Sequence, residues 1–297
     1  MGARLPLRAA GLCVIGLAAT WTLAALVPIV HWHDAVALND FTQLGRPRID
    51  RLANGLLGLL DPLLYTLWAL LLVAIALLRR RPRVALAAAI VLPAAPLSTE
   101  LLKPLLAHPH ARAGYQWVGA ASWPSGHATA AMTLVLCALL VAPHRLRPTI
   151  AVLGSAFAVA VGFSLLILAW HMPSDVLGGY LLAALFGSLA LAALRTAEAR
   201  RPAGTRRRGQ AFALSDRPLP PRSAAARGFP NRWHGEDLLA PAIIAVAGTL
   251  MLVVVVLLRA TQVANFADEH HLIVLAAASI AALAALICSA LTLELRR

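Results

Sequence analysis

The chain of 297 residues is poor in charged and aromatic residues, which make up only 13% and 6% of it. Hydrophobic residues make up 60% of it, and the mean hydropathy is +0.76. This composition argues against a soluble globular domain and against a disordered chain, and it indicates a protein that lies largely in a bilayer. The three cysteines all fall in apolar runs, so they indicate neither a disulfide framework nor a metal cluster.

Apolar segments recur along the chain between short polar breaks. A helix needs about 20 apolar residues to cross a hydrocarbon core of roughly 30 Å, so we predict an all-α, polytopic membrane helix bundle with about eight spans. The predicted spans are residues 10–31, 54–78, 84–102, 126–143, 149–170, 174–195, 238–258 and 272–294. The apolar run ahead of Asp34 is longer than an ordinary signal-peptide core, which favours an uncleaved anchor.

Acidic residues are scarce, 13 against 26 Lys and Arg, and the basic residues are unevenly distributed. Twenty of the 26 lie on alternate loops and at the termini. Because basic loops stay in the cytoplasm, both termini are predicted to be cytoplasmic, and the loops after the first, third, fifth and seventh spans face outward. The expected partners are membrane lipids and not nucleic acid, and the expected location is the plasma membrane of a bacterium.

Composition divides the chain into three parts. Residues 1–195 form a predicted six-span core, and residues 196–237 form a linker that is rich in Arg and Pro and predicted to be cytoplasmic. Residues 238–297 form a predicted two-span C-terminal hairpin, which carries no visible chemistry. The candidate functional residues therefore lie in the six-span core.

Two polar clusters begin predicted spans on the same outward face. Residues 123–127, with the sequence Trp-Pro-Ser-Gly-His, begin the fourth span, and residues 171–175, His-Met-Pro-Ser-Asp, begin the sixth. The N–H groups of a first helical turn lack intrahelical partners and carry partial positive charge. Two such helix ends that face one another would favour a phosphate.

The residue types in these clusters suit phosphoryl chemistry. His171 and Asp175 are four residues apart, so the carboxylate can reach the imidazole, fix its tautomer and prepare it as a nucleophile. His127 is a second group able to protonate a leaving oxygen. Lys103, the only lysine, ends the third span on the same face. Taken alone, each histidine is more often an interfacial or capping residue, and a lone lysine often snorkels to the interface.

These residues resemble the motifs of the type 2 phosphatidic acid phosphatase superfamily of membrane lipid phosphatases. Its second motif, Pro-Ser-Gly-His, is matched by residues 124–127. Its third motif, Ser-Arg, five residues, His, three residues, Asp, is matched by Ser164, His171 and Asp175. The resemblance covers about residues 50–195. It implies a six-helix core in which His171 forms a phosphohistidine, Asp175 orients it and His127 is the general acid, without a cofactor or metal.

The resemblance also implies which residues hold the phosphate of the substrate, and two positions depart from it. Leu165 stands where the third motif has arginine, which removes a bidentate phosphate contact. The first motif, Lys, six residues, Arg-Pro, has His110 in place of arginine, with Arg112 nearby as a substitute out of register. Including these two, the predicted phosphate-binding residues are Lys103, Pro124, Ser125, Gly126, Ser164, His110 and Arg112.

One hypothesis places the missing positive charge in the outer loop after the first span, at Arg46, Arg48 and Arg51; the alternative is an ordinary exposed loop. The expected function is hydrolysis of a lipid phosphate or a polyprenyl pyrophosphate at the extracytoplasmic face. The alternative is a degenerate family member that binds a lipid phosphate or a membrane partner without turnover. A transporter ranks last, because the spans lack charged residues at their centres.

Overall fold

The structure is a computed structural model that describes residues 4–115, 117–200, 265 and 268–296. These residues form nine helices and no strand, which confirms the predicted all-α fold. The helices are α1 (Arg4–Leu26), α2 (Pro28–Thr42), α3 (Pro47–Gly58), α4 (Pro62–Leu78), α5 (Pro82–Leu105), α6 (Gly126–Val141), α7 (Arg147–Ile167), α8 (Pro173–Ala199) and α9 (His271–Glu294).

Five of these helices, α1, α5, α7, α8 and α9, are long and apolar enough to cross a membrane. A sixth span results if α3 and α4 are joined, although they are bent by 52° where they meet. Helix α6 is apolar but has only 16 residues, about 24 Å, so it is shorter than a hydrocarbon core of roughly 30 Å. Helices therefore match seven predicted spans. The remaining predicted span, 238–258, and the linker beyond Arg200 lie outside the described residues.

The first predicted span, 10–31, is shifted in the structure. Helix α1 begins at Arg4 and ends at Leu26, and Pro28 starts α2 at a position where its missing N–H costs nothing. The predicted outer loop after this span is largely helical, since α2 and α3 occupy most of it.

The second predicted span, 54–78, is broken in the structure. The break lies between Gly58 and Pro62, because Asp61 takes an extended conformation ahead of the proline. The buried side chains of α3, Ala53 and Leu57, face α7, so this helix packs on the bundle at an angle to α4.

Helix α6 lies at the centre of the bundle, and most of its side chains are buried against α5, α7 and α8. Glycines allow the neighbouring helices to approach closely. A Cβ on Gly179 of α8 would lie 2.7 Å from the Ser125 carbonyl oxygen, and a Cβ on Gly154 of α7 would clash with a methyl group of Val135. Small residues at such crossings are the usual means of close helix packing in membranes.

Helix α9, from the predicted C-terminal hairpin, packs against α7 and α8 and also contacts α2. Its side chains Ile280 and Cys288 are buried, and Glu294 forms an ion pair of 2.8 Å with Arg195 at the end of α8. This helix is therefore part of the bundle. The division of the chain into core, linker and hairpin stays a prediction, although α8 continues four residues past the predicted core boundary at 195.

Arginines from the loops that are predicted to be cytoplasmic meet at one end of the bundle. Arg79 and Arg81 donate hydrogen bonds to the carbonyl oxygens of Val141 and Leu140, in the last turn of α6. These carbonyl groups have no partner within the helix, so the guanidinium groups supply their hydrogen bonds. The positive charges also interact favourably with the negative end of the helix dipole. The two polar clusters lie at the opposite end of α6 and α8.

Candidate active site

The structure joins the first turns of α6 and α8, which carry the two polar clusters. The backbone N–H of Ser125 donates to the carbonyl oxygen of Asp175 at 3.0 Å. One turn further along, the hydroxyl of Thr129 donates to the carbonyl oxygen of Gly179 at 3.2 Å. The clusters are therefore neighbours, as their position at helix starts on one face predicts.

His171 and Asp175 form a hydrogen-bonded pair at the start of α8. The Nδ1 atom of His171 lies 3.2 Å from Oδ2 of Asp175, and the same oxygen accepts the backbone N–H of Met172 at 2.9 Å. Asp175 is fully buried, and His171 is only 9% exposed. Because Nδ1 is engaged with the carboxylate, Nε2 is the nitrogen available for a substrate.

His127 lies in the first turn of α6, half-buried beside the indole of Trp170, with the two ring centroids 5.7 Å apart. It is close enough to His171 and to Lys103 for their charges to interact. The structure therefore brings together both predicted catalytic histidines and the predicted lysine.

Lys103 lies in the last turn of α5, facing the start of α6. Its Nζ atom is 2.6 Å from Oε1 of Glu100 and 3.9 Å from the point that a Cβ on Gly126 would occupy. The same Cβ would lie 3.4 Å from Thr99 Oγ1 and 3.5 Å from the Glu100 carboxylate. A glycine at 126 thus leaves the first N–H groups of α6 open toward the ammonium group, an arrangement that suits a phosphate oxygen.

The two helix starts differ in what they offer an anion. At α8 the first turn is already occupied by carboxylates, since Asp175 accepts the N–H of Met172 and Asp34 accepts the N–H of Ser174. The expectation that both helix ends face a phosphate stays a prediction. In the structure the start of α6 faces the ammonium group of Lys103, whereas at α8 the N–H of Ser174 is bonded to Asp34.

For the other predicted phosphate-binding residues, the structure gives their positions and their partners within the protein. Ser125 is fully buried and caps α6, with its hydroxyl 3.4 Å from the N–H of Ala128, and Pro124 is buried beside it. The hydroxyl of Ser164 donates to the carbonyl oxygen of Ala160, within its own helix. Arg112 is exposed in the loop after α5. A direct contact of these side chains with phosphate stays a prediction.

His110 lies next to the carboxylate of the pair. Its Nε2 atom is 2.8 Å from the hydroxyl oxygen of Ser122, and its ring packs 4.7 Å from His108 and 6.3 Å from His31, measured between centroids. Burial lowers the pKa of His110, the nearby Asp175 carboxylate opposes this, and the imidazoles of His108 and His31 add to the lowering. His31 also accepts the backbone N–H of Ala111.

The position of the missing motif arginine is part of the core. Leu165 is fully buried among apolar side chains of α7 and its neighbours. The outer-loop arginines give no sign of replacing it. Arg46 donates to the carbonyl oxygens of Gln43 and Gly45, and Arg51 donates to that of Pro47, so both bind their own segment.

Sequence reasoning missed three residues at the site: Asp34, Glu100 and Ser122. Glu100 precedes Lys103 by three residues, and this helical spacing was a usable signal. Asp34 and Ser122 approach the first turn of α8 from other segments. No spacing along the chain could indicate either contact.

These features define the class of the protein, an integral membrane helix bundle with a histidine and carboxylate site at one end. Residues 58–199 match the family model of the PAP2 superfamily. The resemblance drawn from the motifs is therefore confirmed. Helices α1, α2, α9 and most of α3 lie outside the matched region.

Among solved structures, the chain is similar to the transmembrane PAP2-type phosphatidylglycerolphosphate phosphatase from Bacillus subtilis. The sequences are 19% identical and the TM-score is 0.48, over 62% of this chain and 93% of that one. No curated protein matches the chain.

Proposed function

We propose that this protein hydrolyses a lipid phosphate or a polyprenyl pyrophosphate through a phosphohistidine formed on His171. The observation that carries the proposal is the buried pair of His171 and Asp175, with 3.2 Å between Nδ1 and Oδ2, at the same helix junction as His127 and Lys103. A nucleophile, a group that orients it and an acid at one place are what covalent phosphoryl transfer requires.

In the first step, Nε2 of His171 attacks phosphorus, and the bond between phosphorus and the leaving oxygen breaks. His127 gives a proton to that oxygen, which departs as an alcohol or as a lipid monophosphate. Asp175 accepts the hydrogen bond from Nδ1 and stabilises the positive charge that develops on the imidazole.

In the second step, a water molecule attacks the phosphohistidine and the bond between nitrogen and phosphorus breaks. His127, now neutral, takes a proton from that water, so inorganic phosphate leaves and both histidines return to their starting states. Throughout, the Lys103 ammonium and the first N–H groups of α6 stabilise the phosphate oxygens.

The lipid nature of the substrate is supported by the surroundings of the site. The helices that carry it expose large apolar side chains around the bundle, among them Leu97, Leu101 and Leu105 on α5, as is expected of helices in contact with lipid. The arginines gather at the other end of the bundle, and basic ends stay in the cytoplasm, which supports an extracytoplasmic site.

The test is phosphate release by the purified protein in detergent, without added metal, from polyprenyl pyrophosphate, phosphatidate and phosphatidylglycerol phosphate. His171→Ala removes the nucleophile and is expected to abolish release. His144→Ala, an exposed histidine at the basic end of the bundle, is the matched control and is expected to behave as wild type. Quenched reactions should contain a phosphoenzyme that is labile in acid and stable in alkali, and His171→Ala should lack it.

Binding of a lipid phosphate without turnover is the second candidate, and Leu165 is the observation that favours it. A fully buried leucine can supply no hydrogen bond to a phosphate. Wild-type protein that elutes as a single species and binds a lipid phosphate, yet releases none from any of the three lipids, would establish this alternative and rule out the hydrolase.

A further inference from the structure

Asp34 lies on α2, outside the region that matches the superfamily, and contacts the first turn of α8. Its Oδ2 atom accepts a hydrogen bond from the Ser174 hydroxyl at 2.6 Å, and its Oδ1 atom accepts the Ser174 backbone N–H at 3.2 Å. Ser174 directly precedes Asp175, so two carboxylates bind the same helical turn from two sides.

The surroundings of the Asp34 carboxyl group disfavour its negatively charged form. Burial raises the pKa of Asp34 to about 7, the Ser174 hydroxyl opposes the rise, and the negative charge of Asp175 adds to it. A neutral asparagine would avoid the repulsion from Asp175, but it could accept only one of the two hydrogen bonds from Ser174, because its amide nitrogen is a donor. Residues that cost stability in this way are more often explained by function than by folding.

Helix α2 gives Asp34 a fixed platform. It packs against α1, α7, α8 and α9, and its Asp40 lies 3.4 Å from the Nδ1 atom of His270, just before α9. A hydrogen bond from such a platform therefore restrains the first turn of α8 relative to the rest of the bundle.

We propose that Asp34 is a positioning residue for His171. It holds Ser174, and through the first turn of α8 it holds the Asp175 carboxylate in the orientation that engages Nδ1 of His171. This inference rests on the proposed function. The groups proposed to hold phosphate, Lys103 and the start of α6, belong to other helices, so Asp34 affects the rate of phosphoryl transfer and not the binding of the substrate.

The test compares Asp34→Asn with Asp40→Asn, a carboxylate on the same helix that faces His270 instead of the site. Asp34→Asn is expected to lower kcat about tenfold, the equivalent of one charge-assisted hydrogen bond, with KM unchanged within twofold. Asp40→Asn is expected to leave both constants as in the wild type. Ser174→Ala should lower kcat as well, and the double variant should be no worse than the poorer single variant.

Loss of folding would be visible as aggregation during gel filtration, and Ser174→Ala then tests the same contact without altering the carboxylate. A kcat for Asp34→Asn equal to that of the wild type, or a change in KM alone, would overturn the inference. Wild-type protein that releases no phosphate overturns the proposed function and this inference together, whereas active wild type with an unaffected Asp34→Asn overturns this inference alone.

Discussion

The Nε2 atom of His110 lies 2.8 Å from the hydroxyl oxygen of Ser122. The histidine that replaces the first-motif arginine thus lies on the Asp175 side of the site, near enough for its charge to interact with that carboxylate. His110 is therefore positioned to interact with the orienting carboxylate of Asp175. This role differs from holding a phosphate oxygen.

His110→Ala separates these two roles. If His110 supports Asp175, kcat should fall roughly threefold to tenfold while KM stays constant, because Ser122 loses its hydrogen-bond partner near the orienting carboxylate. If it holds phosphate, KM should rise instead. Steady-state kinetics with a soluble short-chain lipid phosphate gives both constants, and Ser122→Ala should reproduce the result for His110→Ala.

Glu100→Gln is expected to improve substrate binding. In the structure Oε1 of Glu100 lies 2.6 Å from Nζ of Lys103. The carboxylate therefore competes with phosphate for the ammonium group and adds a negative charge to the site. Its removal should lower KM about threefold to fivefold at low salt, since such a partly exposed ion pair contributes roughly 1 kcal/mol or less. Lys103→Met serves as the opposite control and should raise KM. An unchanged or higher KM for Glu100→Gln would show that the pair does not compete with substrate.

Asp34→Asn should gain thermal stability at pH 8 and gain none at pH 4. The folded protein raises the pKa of this carboxyl from its usual value of 3.8 to about 7. Between these two values the unfolded chain releases the proton and the folded chain keeps it, so stability falls as the pH rises from 4 to 7 and stays lower above 7.

Asparagine carries no such proton, so this loss is absent in the variant. Differential scanning fluorimetry in detergent should show an apparent Tm for Asp34→Asn that exceeds the wild type by a few degrees at pH 8, about the shift that 1 kcal/mol produces in a chain of this size. The difference should vanish near pH 4. A lower Tm at pH 8 would mean that the carboxylate stabilises the fold.

Gly179→Ala should destabilise the junction of α6 and α8. The added methyl group would lie 2.7 Å from the Ser125 carbonyl oxygen and 2.9 Å from the Ala128 methyl group, so the helices must separate at a cost of roughly 1–3 kcal/mol. Gly11→Ala, where no atom lies within 4 Å of the new methyl group, should be neutral or slightly stabilising. Apparent Tm and kcat should both fall for Gly179→Ala alone, and equal values for the two variants would contradict the packing argument.

The local parts of the site could be predicted from sequence. His171 and Asp175 share one helical turn, so their spacing alone foretells the contact at 3.2 Å. Lys103 ends an apolar run, and Gly126 and His127 begin one, so their helix-end positions followed from the hydropathy pattern. The same pattern missed the end of α1 at Leu26 and the break before Pro62, because prolines interrupt helices inside otherwise continuous apolar runs.

The amino-acid sequence by itself determined that this is a helical membrane protein with a histidine, carboxylate and lysine group at helix ends, because span length and helical spacing are local properties. Only the tertiary structure decided that Asp34 reaches Ser174 across 140 positions, that His110 is hydrogen-bonded to Ser122, and that α9 packs against the core. These contacts depend on how each helix is rotated and placed against its neighbours. That choice is made by the packing of many side chains at once, and it leaves no periodic trace along the chain.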